Sequence, residues 1–167
     1  LKARNIDMSG LSPIQYRRQT DYPAFRKNFN KYQYLANGYA YLGFNLLDPR
    51  FQDKRVRQAM AFAINKPEII EGVLLGLGRA AVGPYKPGTW WYKKDVTTYP
   101  FDPERAKALL AEAGWKDKNS DGILVRDGQP FSFTIRTNQG NLVRQQTAEI
   151  IQRRLRPVGI DVKNHVV

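Results

Sequence analysis

The side chains most able to do chemistry are few in this sequence. His165 is the one histidine, and the absence of cysteine excludes thiol catalysis and thiolate metal sites. None of the four serines lies in a nucleophile-elbow pattern, and the sequence has no phosphate-binding or dinucleotide-binding glycine loop. These features predict a protein that is not an enzyme and that uses no cofactor.

One acidic stretch has the spacing of the first half of a calcium loop. Asp117, Asn119 and Asp121 alternate before Gly122. An EF-hand places a bidentate glutamate at the twelfth position, but this position is Gly128. We therefore predict a polar turn held by side-chain-to-backbone hydrogen bonds, and no metal site.

A stretch rich in β-formers, residues 39–45, is predicted to be a buried strand. Because side chains alternate along a strand, Tyr39, Tyr41, Gly43 and Asn45 would share one face. That face either lines a binding cleft or packs the tyrosines into the core.

A second aromatic group lies in the loop of residues 82–92, which two prolines and two glycines exclude from regular structure. Tyr85, Trp90, Trp91 and Tyr92 belong to it. Either these rings seal an edge of the domain, or one or two of them, with Tyr85 and Trp90 as candidates, face a ligand.

Helices are predicted around these candidates from apolar periodicity and capping residues. Asp53 starts a helix whose buried stripe is Val56, Ala59, Met60, Ala63 and Ile64. Asn65 caps a second helix, whose stripe runs through Ile69, Ile70, Val73, Leu74 and Leu77 to Gly76 and Gly78. Asp102 and Pro103 open a third, which ends at Gly114.

The last third of the chain is predicted to contain a strand–helix–strand unit. Strands are expected at residues 123–126 and 131–137 with a hairpin turn at Asp127-Gly128. A helix follows from about Asn141 to Leu155, and Ile160 and Val162 begin a final strand. Such a unit implies parallel pairing of its two strands.

Three series of residues resemble one known family. They are Phe44-Asn45 with Asp53-x-Arg55-Val56-Arg57-Gln58-Ala59 and Ala63-Ile64-Asn65-Lys66, then Tyr99-x-Phe101-Asp102-Pro103 through Gly114, then Gln152–Leu155 with Val158-Gly159-Ile160-x-Val162. Together they are similar to the family 5 solute-binding proteins of bacterial ABC importers, which receive dipeptides, oligopeptides, nickel chelates and some sugars.

The resemblance implies an α/β fold, a type II periplasmic-binding-protein-like lobe with a mixed sheet and flanking helices. Family members are several times longer, so it implies an incomplete fragment: residues 1–37 as the tail of the first lobe and the crossover segment, and residues 38–167 as part of the second lobe.

The resemblance further implies capture of a small solute, by default a peptide, for a membrane permease. This would take place outside the cytoplasm, in the periplasm or as a cell-surface lipoprotein. The strand at residues 39–45 would run near the cleft, making Tyr39, Tyr41 and Asn45 ligand-binding candidates. The aspartate that anchors the ligand in peptide-binding members would lie beyond Val167.

The charge balance leaves a different functional class of protein open. The chain has 27 basic and 15 acidic residues, a formal net charge of +12, and such an excess favours anionic partners. The basic residues are dispersed in pairs such as Arg17-Arg18 and Lys93-Lys94 without a long block. A basic nucleic-acid-binding module is therefore the alternative, and a hydrolase lacking its partner domain is a third interpretation. On the receptor interpretation no nucleic acid is expected to bind.

Overall fold

The computed structural model describes residue 3 and residues 5–167, and regular structure begins with a single π-helical turn at Gln15–Gln19. In these residues the helices are α1 (Pro23–Asn28), α2 (Pro49–Gln52), α3 (Lys54–Ala63), α4 (Lys66–Gly72), α5 (Pro103–Glu112) and α6 (Leu142–Leu155). A 3-10 turn at Arg156–Val158 follows α6. The strands are β1 (Asp117–Lys118), β2 (Leu124–Arg126), β3 (Gln129–Pro130), β4 (Ser132–Thr137) and β5 (Asp161–Val166).

Five of the helices begin at a residue whose side chain accepts a backbone N–H of the first turn. The capping residues are Asp48, Asp53, Asn65, Asp102 and Asn141. Each cap satisfies one of the N–H groups that a helix start leaves without an intrahelical acceptor. The predicted caps Asp53, Asn65 and Asp102 are confirmed.

The core is centred on the packing of α3 against α5, the most extensive helix pairing in the described chain. Ala59, Ala63 and Ala106 are fully buried, so the two backbones approach closely. The predicted stripe of α3 is confirmed, because Val56 and Met60 are also fully buried and Ile64 packs against the core. The backbone N–H of Asp102 donates to the carbonyl of Phe62 at 2.8 Å, which joins the start of α5 to α3.

Strands β4 and β5 are parallel neighbours with α6 between them in sequence, which confirms the predicted unit. Phe133 and Ile135 face the core with Val162. Phe131, just before β4, is fully buried, and its ring stacks on Trp115 with centroids 4.4 Å apart. Helix α6 covers the apolar face of this sheet, where the amide of Gln152 donates to the carbonyl of Val162 at 2.5 Å.

The hairpin turn is confirmed, but the predicted sheet is divided into two. Asp127 and Gly128 both have positive φ, 53° and 74°, as a type I′ turn requires. The turn joins β2 to the short β3, and β4 begins a separate sheet two residues later. The antiparallel and parallel pairs therefore belong to separate sheets of three and two strands, where the sequence predicted one mixed sheet.

Two further predictions are corrected. Residues 39–45 form no strand, because no neighbouring segment of the described chain pairs with them. Helix α4 ends at Gly72 and does not continue to Leu77; residues 73–76 turn, and Leu75 and Gly76 have φ of 52° and 73°. Val73 is the one buried member of that predicted stripe in the structure.

Candidate functional site

The segment that contains the first candidates alternates between solvent and core although it is not a strand. Leu42 and Phe44 are half-buried against the core, and the Phe44 ring lies 5.3 Å from the Phe51 ring. Tyr39 and Tyr41 are 52% and 78% exposed, and their ring centroids are 5.6 Å apart. The alternative that these tyrosines are core residues is therefore wrong. The segment is anchored on one side and presents aromatic and hydroxyl groups on the other.

Asn45 ends this segment in a fixed turn that the sequence analysis missed. Its side-chain oxygen accepts the backbone N–H of Leu47 at 3.1 Å, and its carbonyl accepts the N–H of Asp48 at 3.1 Å. An asparagine that bonds to the backbone two residues later is a common turn former, and the sequence Asn-Leu-Leu-Asp-Pro before a helix was the available signal. Asn45 is exposed, so its amide N–H₂ group remains on the surface with the tyrosines.

An ion pair fixes the end of this turn to the parallel sheet. The Asp48 carboxylate caps α2 and accepts Nε of Arg50 at 2.8 Å, while Nη1 of Arg50 donates to the carbonyl of Ser132 in β4. The hydrogen bond from Arg50 lowers the pKa of Asp48, and the same bond raises the pKa of Arg50. The candidate surface is thus held in place at its carboxyl end.

The second candidate group lies on a loop of successive turns. The hydroxyl of Thr89 donates to the carbonyl of Lys86 at 2.7 Å, and the N–H of Tyr92 donates to the carbonyl of Thr89 at 3.1 Å. Trp90 is 90% exposed, and its ring meets Trp91 edge-on at 5.1 Å. Tyr85 is also exposed, so these rings seal no edge of the described structure.

The structure does not bring the two groups of candidates into contact. Among residue 3 and residues 5–167, no ring contact joins Tyr39 or Tyr41 to Tyr85 or Trp90. Two surface depressions of about 400 and 450 Å³ are lined by residues between 16 and 31 and between 152 and 162, so neither contains a candidate. The candidates lie on open surface.

The remaining sequence motifs form no chemical centre. The side-chain oxygen of Asn119 accepts the N–H groups of Asp121 and Ile123 at 3.1 and 2.9 Å, which makes the acidic stretch the polar turn that was predicted. His165 is exposed on β5. Within the described residues, no group of three or more His, Asp or Glu side chains is placed to hold a metal ion.

Comparison with known proteins gives a match over the whole chain. The sequence profile of the family described as bacterial extracellular solute-binding proteins, family 5 Middle, matches residues 1–167. The oligopeptide-binding protein AppA of Bacillus subtilis (strain 168) is 44% identical over 153 residues, which are 89% of this chain and 28% of that protein. The dipeptide-binding protein of Escherichia coli (strain K12) is 34% identical over 138 residues, which are 82% of this chain and 24% of that protein.

The solved structures agree with the sequence relatives. The structure of the oligopeptide-binding protein AppA from Bacillus subtilis, in complex with a nonapeptide, superposes with a TM-score of 0.72 and 46% identity. The match covers 75% of this chain and 25% of that one. The predicted α/β fold of a type II periplasmic-binding-protein lobe is confirmed, and the chain spans about a quarter of the length of these relatives.

Proposed function

Because the chain belongs to family 5 of the bacterial extracellular solute-binding proteins, we propose that the protein carrying it is the solute-binding component of an ABC importer. The proposed solute is a peptide, since relatives of this chain are named as oligopeptide-binding and dipeptide-binding proteins. The protein would capture the solute between two lobes that close about a hinge and deliver it to a membrane permease. It would change no covalent bond of the solute.

The observation that carries the proposal is the row of exposed side chains Tyr39, Tyr41 and Asn45 over a buried anchor. Half-buried Leu42 and Phe44 hold the segment on the core, and the Asn45 turn fixes its end. An aromatic wall with a few polar groups in fixed positions is what a solute site requires. Within the described chain Tyr41 is 78% exposed and Tyr39 is 52% exposed, which fits a surface completed by a second lobe.

Each candidate has a role that its chemistry supports. The rings of Tyr39 and Tyr41 would supply contact area, and their hydroxyl groups would donate to or accept from a peptide backbone. The Asn45 amide N–H₂ group would donate a hydrogen bond, and its oxygen, which the turn uses with one lone pair, would accept another. We propose that Tyr85 and Trp90 make separate aromatic contacts with the solute from the loop of residues 82–92.

The division of the chain and its location follow from the same proposal. Residues 1–37 would leave the first lobe and cross to the second, and residues 38–167 would form part of the second lobe. The family is extracellular, and we propose the periplasm or the cell surface, with a lipid anchor, for this member. No helix in the described part of the chain has the length and apolarity to cross a bilayer.

The proposal is tested by calorimetric titration of the intact protein with a nine-residue peptide that it selects from a random pool. We expect Tyr41→Ala and Asn45→Ala each to weaken binding by about 1–3 kcal/mol, the scale of a lost buried polar partner. Tyr32→Ala is the matched control, because Tyr32 is 79% exposed and Tyr41 is 78% exposed. Equal affinity in all three variants would remove these residues from the site. Failure of the intact protein to bind any peptide of the pool would remove the proposed solute class.

The nucleic-acid alternative receives no support from the comparisons. Its positive signal was net charge, and the basic residues that carry this charge are dispersed along the sequence without a long block. Tight and salt-sensitive binding of duplex DNA at physiological salt would restore that alternative.

A further inference from the structure

The face of the β4–β5 sheet that points away from α6 is polar and basic. Cross-strand register places Thr134 opposite Lys163 and Arg136 opposite His165. These positions alternate with Ile135 and Val162, which face the core, so the four side chains share the other face. All four are exposed. Arg136 and Lys163 lie on neighbouring strands of this face, and an anion laid over them would meet both positive charges.

Acidic side chains of the described chain do not neutralise this face. Asp161, at the other end of the same face, accepts the Ser132 hydroxyl at 2.9 Å and Nη1 of Arg156 at 3.1 Å. Among the ion pairs of the described residues, none includes Arg136 or Lys163. The two charges therefore remain available to a partner.

The same strand has an open backbone edge. The N–H of Val167 donates to the carbonyl of Thr137 at 2.8 Å, and the N–H of Asp161 donates to the carbonyl of Phe131 at 2.9 Å. The backbone groups of the odd-numbered residues of β5 and of Val167 therefore bond to the β4 side. By alternation, the peptide groups of the even-numbered residues face away from β4. Within the described residues β5 has no second neighbouring strand. The carbonyl of Val162 is taken by Gln152, which leaves Asn164 and Val166 as the open positions.

We propose that this edge binds an extended acidic polypeptide segment of a partner protein as an added strand. Residues two apart in a strand are separated by about 6.6 Å on one face. A segment with carboxylates at alternate residues would therefore place them beside Lys163 and His165 while its backbone pairs with Asn164 and Val166. Strand addition supplies affinity through the backbone, and the side chains select the partner.

Charge and side-chain type favour this occupant over the others. A second copy of the chain paired along this edge would lay one basic face beside the other, and like charges on an edge strand oppose such pairing. Val167 is the one exposed apolar side chain that continues this face of the described strands, too little to insert into a lipid interface, and the face has no exposed Phe, Tyr or Trp on which a nucleobase could stack. An acidic strand needs neither.

The test uses a synthetic peptide of four Glu-Thr repeats and measures its affinity for the intact protein by fluorescence anisotropy. The variant Arg136→Glu with Lys163→Glu should bind at least about tenfold more weakly, because the face that the carboxylates approach changes from positive to negative. The matched control is Lys116→Glu with Lys118→Glu, which makes the same change of net charge at exposed lysines beside and on the edge strand β1. It should change the affinity by less than about twofold. Thermal melting of both variants verifies that each is folded.

Two altered probes separate strand addition from bulk charge attraction. The same peptide N-methylated along its backbone keeps its charge but cannot pair as a strand, and the isomer with four glutamates followed by four threonines loses the alternate spacing. Both should bind at least about tenfold more weakly than the Glu-Thr repeat. The proposal would be overturned if the three peptides bound equally well, or if the two protein variants lost affinity for the Glu-Thr peptide equally. It would also be overturned if no binding occurred at millimolar peptide. Tighter binding of phosphatidylglycerol vesicles or duplex DNA that depends on Arg136 and Lys163 would also overturn it.

Discussion

At the scale of single residues, exposure separates side chains that stabilise the chain from those that are available to a ligand. Phe62 packs against the core, and its ring meets Tyr99 edge-on at 5.3 Å. Tyr41, in the segment of residues 39–45, is largely exposed. The two aromatic residues should therefore differ sharply in their contribution to folding.

We expect Phe62→Ala to lower the free energy of unfolding by about 1–3 kcal/mol, less than the full cost of a completely buried phenylalanine. Tyr41→Ala should change it by less than about 0.5 kcal/mol, as for most surface substitutions. Urea titration of the chain followed by circular dichroism measures both values. A larger loss for Tyr41→Ala would mean that the tyrosine packs into the fold.

An ion-pair cluster at the residue scale predicts a pH dependence of stability. Glu68 accepts Nε of Arg154 and Nη2 of Arg153, each at 2.5 Å, which joins α4 to α6. The hydrogen bond from Arg154, followed by that from Arg153, lowers the pKa of Glu68. A carboxyl whose pKa is lower in the folded state than in the unfolded state stabilises the protein fully at a pH above its unfolded-state pKa, which is about 4.3 for glutamate. This contribution is lost as the pH falls through the lower pKa of the folded state.

Glu68→Gln should therefore lower the melting temperature at pH 7, by an amount that corresponds to less than about 1 kcal/mol because solvent screens the exposed arginines. The difference between Glu68→Gln and the unaltered chain should shrink at pH 3. Glu104→Gln is a suitable control, since Glu104 pairs with Lys107 within one helix and is mostly exposed. An equal difference at both pH values would show that the ion pairs contribute nothing.

At the scale of elements, the most extensive helix pairing of the described chain lies between α3 and α5. Alanines occupy fully buried positions on both helices, Ala59 and Ala63 on α3 and Ala106 on α5. Ala108, two residues later on α5, is exposed. The helix therefore offers a buried and an exposed position with the same residue type.

Ala106→Leu should destabilise the chain by about 1–3 kcal/mol, because the added carbon atoms force the helices apart. Ala108→Leu should stay within about 0.5 kcal/mol of the unaltered chain. Thermal unfolding of the two variants provides the comparison. Equal melting temperatures would contradict the close approach of α3 and α5.

The elements also show what sequence reasoning could predict. The caps Asp53, Asn65 and Asp102 and the turn at Asp127-Gly128 depend on local chemistry, so their residue types were sufficient. Residues 39–45 have strand-forming residue types, but a strand also requires a partner, and the described chain supplies none. The division into two sheets likewise depends on which segments meet in space, which alternation along one segment does not encode.

The candidate site divides in the same way. Alternation predicted that Tyr41 and Asn45 share a face, and both are exposed in the structure. The hydrogen bond of the Asn45 turn joins residues 2 positions apart. The hydrogen bond from Arg50 to the carbonyl of Ser132 joins residues 82 positions apart. The first has a local signal that was overlooked, and the second has none in the sequence.

At the scale of the whole molecule, we propose that this chain presents one half of a two-sided solute site. Tyr41 and Trp90 are largely exposed in the described structure, and the chain spans 28% of the oligopeptide-binding relative. A solute enclosed between two lobes loses about half of its contacts when one lobe is absent. Affinity should therefore depend on the intact protein and should not reside in this chain.

The most direct test compares peptide affinity of residues 1–167 with that of the intact protein, using isothermal calorimetry and the same selected nonapeptide. We predict submicromolar binding by the intact protein and binding at least about a hundredfold weaker, or none, by the chain. Addition of EDTA should change neither value. Submicromolar binding of the peptide by residues 1–167 alone would contradict the account, because one lobe would then be a complete site.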